Sequence, residues 1–123
     1  MNIRNIMLIF IAFCAQQAFT AGGDITLEIT NKLGANITID SINDKTVQIA
    51  PNDTQSFELL YIPDGIKIKK EGSTKWDTSG LDKEMSKISA ANLKGPLTKA
   101  FITVSPGSDE SHFTYQTTTS YRP

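Results

Sequence analysis

The chain has 123 residues, of which 39% are hydrophobic and 20% are charged, and its formal net charge is −1. That length fits one domain, and that balance excludes both an intrinsically disordered chain and a bundle of membrane helices. The near-neutral charge also excludes a dedicated nucleic-acid-binding protein, because such proteins carry a basic excess. The composition therefore predicts a small globular domain and leaves its activity open.

The first 22 residues have the three zones of a secretory signal peptide. Arg4 provides a positive start, residues 6–13 form an apolar run, and residues 18–23 are rich in small side chains. The apolar run is too short for a transmembrane helix, which needs about 20 residues. We therefore expect residues 1–22 to be removed on export, leaving residues 23–123 as a single domain in the periplasm or outside the cell.

The only cysteine, Cys14, lies at the end of this apolar run. Attachment of a lipid to Cys14 would require a small residue before it, and the residue present is Phe13, so we do not expect a lipid anchor. The domain that remains after cleavage has no cysteine. Small exported domains of animals and plants usually contain disulfides, so a cysteine-free domain favours a bacterial envelope.

Alternation of apolar and polar residues predicts about seven short strands in the domain. Five of them fall between Ile25 and Lys69, and two more follow Pro96. Ile62-Pro63-Asp64-Gly65 predicts a hairpin between the fourth and fifth strands, because glycine readily adopts a positive φ. Ser105–Ser111 is predicted to be a hydrophilic loop between the last two strands.

Residues 79–93 predict one helix of about three turns, because their apolar residues recur at intervals of three and four. These apolar residues are Leu81, Met85, Ile88 and Ala91. Ser79 and Asp82 resemble an N-terminal capping pair, and Gly95-Pro96 ends the helix. We expect the apolar stripe to lie against the strands.

Within residues 27–59, two stretches resemble the opening strands of immunoglobulin-like domains. They are Ile29-Thr30-Asn31 and the run from Ile49-Ala50-Pro51-Asn52-Asp53 to Phe57. The resemblance implies an antiparallel β-sandwich of immunoglobulin-like outline. The predicted fold is therefore mostly β, an antiparallel sandwich of about seven strands with one inserted helix near residues 79–93.

The only tryptophan, Trp76, lies among polar residues and has two interpretations. An exposed indole offers a large, rigid surface for stacking on a sugar or filling a partner's pocket. Alternatively, if Asp77 rather than Ser79 caps the helix, Trp76 and Leu81 occupy the positions of a hydrophobic staple. The sequence leaves both interpretations open.

Several lysines near Trp76 form a basic stripe. They are Lys67, Lys69, Lys70 and Lys75. Such a stripe either contacts anionic lipid headgroups or acidic polysaccharide, or protects an exposed strand edge from pairing. The end of the chain, Thr114–Ser120 with Tyr115 and Tyr121, is either a frayed strand or a strand that adds to a partner's sheet.

Catalytic and metal-binding groups are sparse in the predicted domain. The chain has one histidine, His112, and no G-x-S-x-G elbow, and its carboxylates fall mainly at outward or turn positions. Asp109, Glu110 and His112 are weak candidates for a metal site or a hydrolase, because consecutive residues rarely converge on one ion. We therefore predict neither an enzyme nor a cofactor.

These observations together predict an exported, non-enzymatic binding module that recognises a protein, glycan or lipid surface. A bacterial secreted effector or an adhesin-like protein would fit this description. The alternatives are an envelope inhibitor or chaperone-like protein acting on one protein client, and a small hydrolase. The candidate binding residues are Trp76, Lys67, Lys69, Lys70, Lys75, Tyr115 and Tyr121.

Overall fold

The computed structural model describes residues 25–121, which form seven strands and one helix in a mostly β arrangement. The strands are β1 (Ile25–Asn31), β2 (Ile37–Ile42), β3 (Lys45–Ile49), β4 (Thr54–Leu59), β5 (Lys67–Lys70), β6 (Leu97–Asp109) and β7 (His112–Tyr121). The helix, α1, spans Gly80–Lys94 between β5 and β6. The predicted signal peptide, residues 1–22 with Cys14, lies outside the described residues. Within the described range, no helix is long and apolar enough to cross a membrane.

The strands form two sheets. A four-stranded sheet has the order β4-β1-β6-β7, and a three-stranded sheet has the order β3-β2-β5. All strand pairs are antiparallel except β1 and β6, which run parallel with Thr26 opposite Lys99. The prediction of antiparallel strands throughout is therefore wrong at this pair. Parallel pairing is possible here because the chain from β2 to α1 provides the long crossover that it needs.

The two sheets and the helix share one hydrophobic core. In β1, alternate residues are fully buried and the residues between them are half-buried. Leu81, Met85 and Ile88 of α1 belong to the same buried cluster as the inward-facing residues of the strands. Full burial of each such side chain contributes about 1.5–3 kcal/mol. The prediction that the apolar stripe of the helix lies against the strands is confirmed.

The segment between β4 and β5 connects the two sheets rather than two neighbouring strands. Gly65 has a φ of 71°, but β4 pairs with β1 and β5 pairs with β2. The hairpin predicted at Ile62-Pro63-Asp64-Gly65 is therefore wrong, because turn residues specify a change of direction and not which strands pair. The Gly65 N–H donates to the Asp82 carboxylate at 2.9 Å, which attaches this turn to α1.

β6 and β7 form a long hairpin in place of the hydrophilic loop that the sequence predicts over Ser105–Ser111. β6 continues to Asp109 and β7 begins at His112, so that only a short turn joins them. An irregularity in the pairing accommodates Pro106 and Gly107 within β6. Glycine is required there, because a Cβ would collide with the carbonyl oxygen of His112. Pairing between the strands therefore overrides the local turn residues.

Candidate functional site

A short extended segment between β5 and α1 continues the three-stranded sheet. The backbone of Asp77 exchanges two hydrogen bonds with Ile68 of β5, at 2.7 and 3.1 Å. Side chains alternate along an extended segment, so Trp76 and Asp77 lie on opposite sides of the sheet. Trp76 is half-buried on the outer side, whereas Asp77 is buried on the inner side.

On the outer side, the structure brings together three of the predicted binding residues, Lys67, Lys69 and Trp76, which we call the Trp76 cluster. The Lys67 Nζ lies 4.6 Å from the centroid of the indole ring, and the Lys69 Nζ lies 4.8 Å from it. Cation–π contacts of this kind contribute about 0.5–1 kcal/mol each at exposed sites. Among the described residues, no carboxylate forms an ion pair with either lysine. Two positive charges are thus held over one aromatic ring.

The Trp76 cluster belongs to a larger polar surface, the outer face of the three-stranded sheet, which we call the Trp76 face. Its side chains are those of Thr38, Asp40, Thr46, Gln48, Lys67, Lys69 and Trp76. Asp40 lies opposite Lys67 in the strand register, but its carboxylate accepts the hydroxyl of Thr46 at 3.1 Å. The large apolar side chains that are exposed in the described chain all lie elsewhere. The face therefore presents hydroxyl, amide and ammonium groups and one carboxylate, that of Asp40, around one indole.

The structure does not bring the other predicted binding residues to this cluster. Lys70, at the end of β5, lines a separate cavity. Lys75 is exposed, and its backbone N–H donates to the hydroxyl of Ser73 at 3.1 Å. Tyr121 is exposed at the end of β7, and Tyr115 points inward.

On the inner side of the same segment, Asp77 caps α1. Its Oδ1 accepts the backbone N–H groups of Ser79 at 3.3 Å and Gly80 at 2.9 Å. Such N–H groups have no acceptor within a helix. Ser79 makes no capping hydrogen bond through its side chain, and Asp82 accepts an N–H from Gly65 instead. The predicted capping pair of Ser79 and Asp82 is therefore wrong, because Asp77 already satisfies the free N–H groups.

The Asp77 carboxylate also connects α1 to β7. Its Oδ2 accepts the hydroxyl of Tyr115 at 2.8 Å and the N–H of Phe113 at 3.4 Å. Burial raises the pKa of Asp77, but the hydrogen bonds from Gly80, Tyr115 and their neighbours outweigh it, so the pKa lies below its usual range. Burial and the hydrogen bond to Asp77 both raise the pKa of Tyr115. Tyr115, predicted as a binding residue, is thus part of this buried junction.

The candidate metal residues lie at the tip of the β6–β7 hairpin, where two of them pair with each other. The Nδ1 of His112 lies 2.8 Å from Oδ1 of Asp109, which also accepts the N–H and hydroxyl of Ser111. These hydrogen bonds, that of His112 first, lower the pKa of Asp109 to about 2, and Asp109 raises the pKa of His112. Both side chains are exposed, as is Glu110 in the turn. Within residues 25–121, no group of three potential ligands converges on a metal position.

One buried polar residue, Asn31 at the end of β1, is not among the predicted site residues and organises the loops beyond that strand. Its side-chain amide donates to the carbonyl oxygens of Ala35 at 2.8 Å and Ile49 at 2.9 Å. Its Oδ1 accepts the N–H of Leu33 at 2.8 Å. The sequence feature that could have indicated this role is the position of Asn31, at the end of a strand of alternating apolar residues.

The candidate functional site therefore consists of the Trp76 cluster on the outer side of the three-stranded sheet. Behind it, on the inner side, the Asp77 carboxylate connects α1 to β7. In comparisons with known proteins, no protein family, no curated protein and no solved structure matches this chain.

Proposed function

We propose that this protein is an exported, non-enzymatic binding module whose contact surface is the Trp76 face. The observation that carries the proposal is the Trp76 cluster, in which two ammonium groups lie within 5 Å of one indole centroid without a carboxylate partner in the described chain. Positive charges that are already held in place attract an anionic ligand at a low cost in side-chain ordering. Lys67 and Lys69 are less needed to protect the edge of β5 from pairing with another strand, because Asp77 already pairs with the backbone of Ile68 at this edge.

We infer that the two sheets pack face to face as an immunoglobulin-like β-sandwich. The single hydrophobic cluster with residues from both sheets supports this arrangement. The two stretches that resemble immunoglobulin-like strands also meet, because Asn31 donates its N–H to the Asp53 carbonyl at 2.9 Å and accepts the Asn52 N–H at 2.7 Å. Such a framework leaves the outer faces and end loops free for binding.

The neighbours of the Trp76 cluster favour an acidic polysaccharide over an anionic membrane. Thr38 and Gln48 present hydroxyl and amide groups, which suit the hydroxyl groups of sugars. A surface that binds membranes normally adds large apolar side chains that enter the headgroup region. In our proposal, the sulfate or carboxylate groups of the sugar chain bind Lys67 and Lys69, and a sugar ring contacts Trp76.

The proposed location is the bacterial envelope or the exterior, where a secreted effector or adhesin-like protein would meet such polysaccharides. The signal-peptide pattern of residues 1–22 and the absence of cysteine beyond Cys14 support this proposal. N-terminal sequencing of the exported protein is expected to begin within about two residues of Gly23. A protein that still begins with Met1 would contradict export by a cleaved signal peptide.

Binding to dextran sulfate, with neutral dextran as its matched control, tests the proposed ligand class. We expect the protein to bind only the sulfated polymer. A lysine near an anionic surface contributes roughly 1 kcal/mol, so the double variant Lys67→Met/Lys69→Met should bind about 30-fold more weakly. Lys83→Met, which removes an exposed charge from α1, serves as the control and should leave binding unchanged.

Three outcomes would contradict this proposal. They are equal binding to dextran and dextran sulfate, full binding by the double variant, and stronger binding to vesicles containing phosphatidylglycerol than to the sulfated polymer. The last outcome would assign the Trp76 face to a membrane surface. Raised salt should weaken the expected binding, because exposed charges are screened.

A second candidate, an envelope inhibitor or chaperone-like protein, is favoured by one specific observation at β7. Within residues 25–121, β7 pairs only with β6, and its sequence contains no charged residue of the Asp, Glu, Lys or Arg type and no proline. Edges without such residues readily accept another strand. Thr118→Lys should then abolish capture of a client from envelope extracts while leaving dextran sulfate binding intact. Undiminished capture by this variant would exclude the β7 edge as the contact.

A further inference from the structure

A cavity of about 410 Å³ lies where the loop after β1, the end of β5 and the β6–β7 hairpin meet. Its volume falls in the range of small-molecule binding sites. Its lining combines apolar side chains, Leu33 and Phe113, with the charged side chains of Lys70 at the end of β5 and Glu110 in the turn between β6 and β7. The cavity does not include the Trp76 cluster, so a ligand bound in it contacts different residues from a polysaccharide bound at the Trp76 face.

The apolar part of the cavity is held in place by contacts behind it. Leu33 is buried, and its N–H donates to the side chain of Asn31 at 2.8 Å. Phe113 packs edge-on against Tyr115 with ring centroids 6.5 Å apart, and Tyr115 is fixed in turn by Asp77. A wall of this kind is ready to bind an apolar group without reorganisation.

The charged part of the cavity has two side chains that lack partners. In the described chain, Lys70 and Glu110 form no ion pair with each other or with any other residue, and their side chains form no hydrogen bond. Asp109, which also lines the cavity, differs because His112 and Ser111 already bind its carboxylate. The cavity therefore offers one unpaired cation and one unpaired anion.

We propose that this cavity binds a small zwitterion with an apolar side chain, the chemistry shared by free apolar amino acids and dipeptides. The ligand's carboxylate pairs with Lys70, its ammonium group pairs with Glu110, and its side chain packs against Leu33 and Phe113. A neutral ligand would leave both charges unpaired, and a ligand of a single charge would leave one of them without a partner. Only a zwitterion complements both.

Calorimetric titration with leucine and with alanyl-leucine tests this proposal. Two further probes each lack one charge of leucine: 4-methylpentanoate has no ammonium group, and 3-methylbutylamine has no carboxylate. We expect at least one zwitterion to bind, and both single-charge analogues of leucine to bind at least about tenfold more weakly. Lys70→Met and Glu110→Gln should each weaken zwitterion binding by about tenfold, whereas the exposed control Lys75→Met should not.

The proposal is overturned if neither zwitterion binds at about 10 mM, a concentration that reveals even millimolar affinity. It is also overturned if 4-methylpentanoate binds as tightly as leucine, or if Glu110→Gln binds the zwitterions as tightly as the unmodified protein. Thermal unfolding of Lys70→Met and Glu110→Gln checks that both variants are folded. Their binding to dextran sulfate should persist, which separates a failure here from a failure of the proposed function.

Discussion

Two consecutive residues, Trp76 and Asp77, lie in one extended segment and have opposite surroundings. Asp77 points inward, where its carboxylate accepts hydrogen bonds from Ser79, Gly80, Tyr115 and, more weakly, Phe113. Trp76 points outward, beside two lysines that lack a carboxylate partner within residues 25–121. Polar groups whose hydrogen bonds are satisfied internally stabilise the fold, whereas charges left without partners on the surface remain free to bind a ligand.

The largest expected effect is the loss of stability in Asp77→Ala. This substitution removes the cap of α1 and leaves the hydroxyl of Tyr115 without its acceptor, so we expect a loss of about 2–4 kcal/mol. Chemical denaturation measures it, with Trp76→Ala as the neighbouring control. Trp76→Ala should lose less stability and more binding to dextran sulfate. If the two variants lost equal stability, the assignment of a stabilising role to Asp77 and a binding role to Trp76 would be wrong.

A somewhat smaller effect is expected from Asn31→Ala. Its side chain satisfies two carbonyl oxygens and one N–H in the loops beyond β1, and the alanine variant would leave all three without that partner. We expect a loss of about 2–3 kcal/mol in the free energy of unfolding, measured by urea denaturation. Because Asn31 belongs to the other sheet and its side chain bonds to no residue of the Trp76 face, dextran sulfate binding should persist. A variant as stable as the unmodified protein would contradict this role of the Asn31 side chain.

Acid should weaken the buried junction through Asp77. Its pKa is lower in the folded protein, so its contribution to stability is present above the unfolded carboxylate pKa of about 3.9 and is lost as the pH falls below it. Asp109, with a folded pKa of about 2, acts with the same sign. Asp77→Asn should therefore lose less stability than the unmodified protein between about pH 4 and pH 2. An identical pH dependence in urea denaturation would contradict this assignment.

His112 should contribute with the opposite sign. Its pKa is higher in the folded protein, so its contribution is fully present below the unfolded pKa of about 6.5 and is lost as the pH rises through the folded value. Raised salt should reduce this contribution, because both His112 and Asp109 are exposed. Comparison of His112→Gln with the unmodified protein from about pH 5 to pH 8 measures it. A difference in stability that grows with pH would contradict the pairing with Asp109.

A smaller loss of stability than in Asp77→Ala or Asn31→Ala is expected from Lys67→Met/Lys69→Met. The two lysines form one cation–π contact each but no ion pair with a described residue, so their joint loss should cost about 1–2 kcal/mol at most. Thermal and chemical unfolding measure this cost, and Lys83→Met again provides the control. A loss comparable to that of Asp77→Ala would mean that the Trp76 cluster stabilises the fold and is not held ready for a ligand.

Periodicity in the sequence predicts the elements well and their pairing poorly. The helix predicted at residues 79–93 is observed at Gly80–Lys94, and the alternating strands bury the expected faces. No local sequence pattern predicts that β1 pairs in parallel with β6, or that the segment Ile62-Pro63-Asp64-Gly65 connects the two sheets. Both features depend on which distant strands meet.

The candidate site is predictable in its residue types but not in its assembly. Lys67 and Lys69 share a strand face by simple alternation, so their proximity follows from the sequence. Their contact with Trp76 depends on the backbone pairing of Asp77 with Ile68, which no local pattern specifies. Tyr115 is predicted as a binding residue but is used inside the fold, because its hydroxyl donates to Asp77. The alternation of residues along β7 does not indicate this acceptor.

The most direct test of the Trp76 face is the emission of Trp76 during titration with dextran sulfate. Trp76 is the only tryptophan in the chain, so the signal has a single source. We predict a saturable change in emission that neutral dextran does not produce, that salt reverses, and that Lys67→Met/Lys69→Met lacks. An emission that stays constant while the protein binds the sulfated polymer would contradict the Trp76 face as the contact surface.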